Sequence, residues 1–218
     1  MVATTRPQRA RRAEDKQQRR DDILDVAAAL FAEQPFFTLK ISDVASAAGL
    51  AKGTVFIYFP TKEALFLALL ERLLLEWLAE LDEALENGRG PWSSARVARL
   101  VADTLATRPM LTRLLSLLAA VLEVNVEVER IVAFKRMLLT RLAPTGALLE
   151  RRLPFLSPGQ GIRLMQQFNA VVVGVHHTAK PGLQAREALE QPDLAPLRLD
   201  FDQELRILLT ACMRGLES

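Results

Sequence analysis

Residues 41–62 read ISDVASAAGLAKGTVFIYFPTK, and the fold is decided there. Val44, Ala45 and Ala48 put an apolar face on a short helix, about 41–48. Gly49 supplies the residue that tolerates positive φ where that helix must stop. After the turn Gly49-Leu50-Ala51, a second short helix, about 52–58, carries Val55 inward and spreads Lys52, Thr54, Phe56 and Tyr58 over its other faces. Ala45 and Gly49 are small and four apart, which lets the second helix cross close over the first. Val55 plugs the angle between them. This layout is a helix-turn-helix, a unit whose second helix fits the DNA major groove.

The flanks agree. Upstream, RRDDILDVAAALFAEQPFF (19–37) places Ile23, Ala27, Leu30 and Phe31 on one helical face. Downstream, FPTKEALF (59–66) is a turn leading into a long helix. With an AG turn, GTVFIYF and KEAL in that order, residues 19–70 resemble the DNA-binding domain of the TetR family of bacterial regulators. Two positions depart from the family pattern. Lys40 and Ile41 stand where the family commonly has Thr, with Thr38 and Ser42 nearby, and Phe56 replaces the usual Tyr. Each departure removes a hydroxyl that could meet a phosphate.

The resemblance implies an all-α chain, with an N-terminal three-helix helix-turn-helix DNA-binding domain and a C-terminal helical ligand-binding and dimerisation domain. It implies double-stranded operator DNA as partner. Lys52, Thr54 and Phe56 are expected at base edges or the groove wall, with Gly53 allowing close backbone approach. Tyr58 and Lys62 are expected on phosphate, and Thr38, Lys40, Ser42 and the first amides of the Ser42 helix are further phosphate candidates.

At 218 residues the chain can bury a sizeable core, and its Leu- and Ala-rich composition favours helices over strands. The single Cys212 excludes an internal disulfide and fits a reducing cytoplasm. No apolar run reaches membrane-spanning length and the Arg-rich start lacks a signal-peptide core, so a soluble cytoplasmic protein without a membrane partner is expected. Charge is unevenly spread: residues 1–62 carry +3 and the remainder −1. Residues 6–20, RPQRARRAEDKQQRR, hold +5, which suits either a solvated tail or an arm that touches phosphates or the minor groove.

Three segments follow: a disordered basic arm (1–15), the helix-turn-helix domain (16–62), and a ligand-binding and dimerisation domain (63–218). The first helix is expected at about 16–34, stopped by Pro35. A fourth, from Lys62 to about Asn87, is apolar on two sides and must pack on two things. Further helices are expected at about 93–107, 109–122, 125–152, 158–179 and 199–216. Pro144 should kink or break the third of these near Leu142, and Ser157-Pro158 should open the fourth. The segment 180–198, with three prolines and a glycine, reads as a long connection with one helical turn near 184–190.

The C-terminal part contains no Walker loop, GxSxG, GxGxxG or HExxH, so neither enzyme, cofactor nor metal is expected. His176 and His177 are adjacent, point about 100° apart on a helix and cannot chelate together. The resemblance implies instead a small, largely apolar effector held between helices, with Trp77, Thr104, Met110, Val121, Asn125, Phe134, Met137, Gln166 and Asn169 as candidate lining. It also implies a homodimer through helices 158–179 and 199–216. The apolar stripes offered for that contact are Met165, Phe168, Val172 and Val175 on one helix, and Phe201, Leu205, Leu208, Leu209 and Cys212 on the other. The most specific reading is a repressor released from a palindromic operator by its effector. An activator without ligand control, or a helical carrier or enzyme that never meets DNA, are the rival classes.

Overall fold

The computed structural model describes residues 8–217, with side chains from residue 13 onward, and every regular element among them is helical. The described residues divide into two compact units: residues 8–69 with 121–126, and residues 70–120 with 127–217. The division thus falls at Leu69, seven residues past the expected boundary, and the first unit takes in a short segment from far downstream. No single helix among the described residues is long and apolar enough to cross a membrane.

The first unit contains α1 (Gln8–Glu33), α2 (Ile41–Ala47), α3 (Lys52–Tyr58) and the start of α4 (Lys62–Asn87). Helix α1 begins at Gln8, so residues 8–15, expected as disordered arm, are helical. From Gln8 to Gln34 there is no Gly or Pro, and Gln, Arg, Ala, Glu and Lys dominate the start, all strong helix formers. Gln17 and Gln18 add amide-to-carboxylate bonds to Asp21 and Asp22 one turn on. The expectation for residues 1–7 lies outside the described residues. Ile23, Ala27 and Phe31 from α1 meet Val44, Val55, Leu65 and Phe66 in the core, all fully buried. Phe66 packs against both Phe31 and Phe36, with ring centroids 5.1 and 5.2 Å apart.

The second unit contains the rest of α4, α5 (Ser94–Ala106), α6 (Pro109–Leu117), α7 (Val128–Arg152), α8 (Gln160–Ala179), α9 (Leu183–Ala188) and α10 (Phe201–Arg214). A π-helical turn at Leu118–Leu122 ends α6, and a 3-10 segment at Pro192–Leu197 follows α9. Helix α7 runs through Pro144 without the break that was one of the two expected outcomes there. Its second half is fixed by packing: Leu142, Leu148 and Leu149 are buried, and the Thr145 hydroxyl donates to Asp82 Oδ1 at 2.5 Å. That anchoring offsets the bond Pro144 cannot make. Helices α7 and α8 cross in backbone contact at Gly146 and Gly161; a Cβ on Gly146 would lie 2.9 Å from the Ile162 nitrogen.

Helix α8 starts at Gln160, later than Ser157-Pro158 suggested. Gly159, at φ 86°, precedes it, and Glu150 Oε1 accepts from the amides of Gly159 (2.8 Å) and Gly161 (2.9 Å). The cap therefore comes from α7, a tertiary partner invisible to local sequence.

Helix α10 packs on α5 and α8. Phe201, Leu205, Leu209 and Met213 are buried there, as are Met165, Phe168, Val172 and Val175 of α8. These stripes, expected at a dimer contact, are used inside the chain. Their apolar faces close the core of a single copy, and only Leu208 and half-buried Cys212 of the expected set remain accessible.

Candidate nucleic-acid interface

The turn between α2 and α3 follows from Gly49. With φ at 65°, Gly49 donates to Ser46 O (3.1 Å) and Leu50 to Ala45 O (2.9 Å), closing the carbonyl end of α2. The other end of α2 is set by Asp43, whose Oδ2 accepts from the Lys40 amide at 2.9 Å. Val55 is wholly buried and fixes the rotation of α3. The opposite face of α3 is consequently displayed: Lys52, Gly53 and Phe56 are exposed, and Thr54 and Tyr58 half-buried. No atom lies within 4 Å of where a Cβ on Gly53 would stand, so its backbone borders open space. Lys52 Nζ sits 5.6 Å from the Phe56 ring centroid, placing a cation over an aromatic face at the surface.

Sequence reasoning missed Ile57. It is 76% exposed, the most exposed large apolar side chain on α3. The signal was available: with Val55 inward, a residue two positions on points to the far side of the helix. Phe37, 73% exposed in the turn before α2, is a second large apolar group that the sequence did not single out.

Lys62 and Thr38, two expected phosphate contacts, also make hydrogen bonds within the chain. Lys62 Nζ donates to Phe36 O (2.9 Å) and Leu39 O (3.1 Å) and lies 4.1 Å from the Phe36 ring centroid. This half-buried ammonium clamps the α1–α2 turn, and two of its three donors are already engaged. The Thr38 hydroxyl donates to Pro35 O at 2.9 Å, inside the same turn. Ser42 and Lys40 are exposed at the start of α2 as expected positions, although the Ser42 hydroxyl has a long 3.4 Å contact with Asp43 Oδ1.

Thr61 has two roles at the start of α4. Its Oγ1 accepts from the Ala64 amide at 3.0 Å, capping the helix, and donates to Asn125 O at 3.0 Å. Asn125, expected in an effector cavity, thus contributes its carbonyl to the first unit while its side chain is exposed. Of the other candidates for that cavity, Trp77 and Thr104 are brought together. Trp77 Nε1 donates to Thr104 Oγ1 at 3.0 Å, both side chains buried. Phe134 is fully buried, and Met110, Val121 and Met137 are half-buried. Gln166 and Asn169 are exposed on α8, so they line no interior space of this chain; the α8 face turned inward is the apolar one. Among the described residues no group of acidic, His or Cys side chains is arranged to hold a metal.

Residues 23–69 match the profile described as bacterial regulatory proteins, tetR family, and residues 71–218 match the Tetracyclin repressor-like, C-terminal domain. The HTH-type transcriptional regulator YfiR of Bacillus subtilis is 33% identical over 101 residues, covering 43% of this chain and 49% of that protein. RutR of Escherichia coli, also an HTH-type transcriptional regulator, is 32% identical over 92 residues, 42% of this chain and 43% of its own. The chain therefore spans about half the length of the curated relatives it matches. In three dimensions it is similar to the transcriptional regulator FadR from Bacillus subtilis in complex with stearoyl-CoA. The TM-score is 0.53 at 18% identity, with 87% of this chain and 97% of that one covered. With both profiles matched end to end across residues 23–218, the chain belongs to the TetR family of bacterial regulators.

Proposed function

We propose that the chain is a DNA-binding transcription regulator that reads a two-fold operator as a homodimer and is released by a small, largely apolar effector. The observation that carries the DNA reading is α3: Val55 locks one face into the core, and Lys52, Gly53, Thr54, Phe56 and Ile57 stand on the other. A cation, an open backbone, a hydroxyl and two apolar groups on one short helix suit phosphate, base edges and thymine methyls together. One such helix binds weakly, so two copies are required, their recognition helices about 34–36 Å apart on DNA.

The faces left for self-association are the outer sides of α8 and α10, where Ala170, Gly174, Ile207 and Leu208 are exposed. The proposed contact thus uses the expected helices, turned away from their buried stripes. For the effector, the enclosed apolar surroundings of Trp77, Thr104 and Phe134 are the proposed wall. An effector acts only by binding one dimer geometry better than the other, and a full reversal of occupancy needs about 5.5 kcal/mol of differential affinity.

The test is footprinting on DNA upstream of the chain's own coding region, repeated at several salt concentrations. Protection of a two-fold site, with log affinity falling steeply against log salt, is expected, at about 0.9 per phosphate contact. Salt-independent or absent protection would favour a helical carrier. Adding apolar candidate effectors to the protected complex tests release, and Trp77→Ala should protect the site as well as the parent yet respond less to the effector.

A further inference from the structure

An open surface groove of about 360 Å³ lies in the connection between α8 and α10, and its charged lining is exposed. Three basic side chains, Lys180, Arg186 and Arg198, share its wall with a single carboxylate, Glu190, and with the apolar Leu189 and Leu199. Arg198 is structural. Its Nε donates to Leu189 O at 2.6 Å, and Nη2 to Glu190 O and Gln191 O at 3.1 and 3.3 Å, closing the end of α9. Lys180 and Arg186 are different: neither forms an ion pair among the described residues, with Glu190 or with any other acid.

His176, one turn before Lys180, shares the Phe201 ring with it: the imidazole lies 6.2 Å and Lys180 Nζ 6.0 Å from that centroid. His176 Nδ1 is buried without a hydrogen-bond partner. Burial holds its pKa down to about 4, and the charges of His177, Lys180 and Arg113 push in the same direction. Cations at helix C-termini are common because the dipole favours them; Lys180 directly follows α8 and Arg186 lies in the last turn of α9. That accounts for their presence singly. It does not account for both of them lining one groove beside Arg198, which is itself held by the carbonyls just past α9.

We propose that this groove binds a small organic anion, a carboxylate or phosphate on a short apolar group. Lys180 and Arg186 hold the charge, while Leu189 and Leu199 cover the apolar part. Glu190 opposes the ligand and limits its affinity. The proposal is independent of operator recognition, since none of these residues belongs to the DNA-binding unit.

Equilibrium dialysis of the full chain against labelled butyrate, butyl phosphate and the neutral butyramide tests it. Saturable binding of butyrate or butyl phosphate at one per chain is expected, with butyramide about tenfold weaker or more. Whichever anion binds more tightly identifies the head group. Lys180→Gln and Arg186→Gln should each weaken the anion about tenfold, Arg186→Lys should retain most of the binding, and Glu190→Gln should strengthen it. Failure of both anions to saturate, equal binding of butyramide, or parent-like binding by the two Gln variants at 180 and 186 would overturn the proposal. So would weaker binding by Glu190→Gln, since that carboxylate would then be holding a positive group. Operator binding, measured on the same samples, is expected at the parent value, so either reading can fail without the other.

Discussion

The helix-turn-helix unit and the larger helical unit use apolar residues in opposite ways. In the first, a few buried groups orient a helix whose working face is outward: Val55 is fully buried so that Lys52, Phe56 and Ile57 are not. In the second, apolar stripes that look like outward surfaces are turned in, and Phe168 and Leu205 pack against neighbouring helices of the same chain. A short helix between tight turns has its rotation fixed locally. A long amphipathic helix has a defined apolar face, but its period does not say which partner covers it. The two units therefore respond differently to substitution.

The largest effect is expected where helices of the second unit touch backbone to backbone. A Cβ on Gly161 collides with the Gly146 main chain, so Gly161→Ala should cost about 3 kcal/mol of stability, read as a lowered chemical-denaturation midpoint. The sequence of residues 41–62 is untouched by it. If stability is unchanged, the close crossing of α7 and α8 is wrong.

Next is Lys62, which separates fold from recognition inside the DNA-binding unit. Lys62→Ala leaves Phe36 O and Leu39 O without their charged donor and should cost about 2 kcal/mol. Its salt dependence of DNA binding should match the parent, because the lost ammonium was donating to carbonyls. A slope flatter by about 0.9 would restore Lys62 to the phosphate contacts.

Lys52→Ala and Thr54→Ala should leave stability within about 0.5 kcal/mol and relax base preference by about 1–3 kcal/mol at one position each. Ile57→Ala should behave alike with a smaller loss, since it removes only an apolar contact. A site selection returning the parent consensus for all three variants would mean that α3 is docked wrongly.

The smallest effect is one of pH. His176 is held neutral, at about 4 against an ordinary 6.5, first by burial and then by the positive charges of His177, Lys180 and Arg113. The unfolded chain takes up this proton at higher pH than the folded one. Stability is therefore fully present above pH 6.5 and declines as pH falls from there towards 4. Half-buried and partly screened, the residue should contribute about 1 kcal/mol to that decline. His176→Gln should flatten the pH dependence in this window relative to the parent.

The same contrast explains what could be read in advance. Gly49, Val55 and the α2–α3 turn were legible because each signal lies within about ten residues of its partner. Lys62 was not: its partners, Phe36 and Leu39, are over twenty residues away, and a Lys beside a recognition helix has an obvious alternative use. The cap of α8 by Glu150 and the continuity of α7 through Pro144 also depend on contacts between helices. In the proposed effector region, Trp77 and Thr104 are bonded neighbours, whereas Gln166 and Asn169 are exposed, as polar residues on a helix mostly are.

The hydrogen bond from Thr61 to Asn125 bears on how this protein can be cut and recombined. The DNA-binding unit is discontinuous: the chain leaves it after Leu69, returns for 121–126, and leaves again. It is therefore covalently tied to the rest at three points instead of one. A fragment ending at Leu69 would carry every residue proposed to meet DNA, yet it would leave the Thr61 hydroxyl, at the origin of α4, without its acceptor. Chimeras that graft this recognition helix onto another sensor must bring residues 121–126 with it, and their junctions belong at all three crossings.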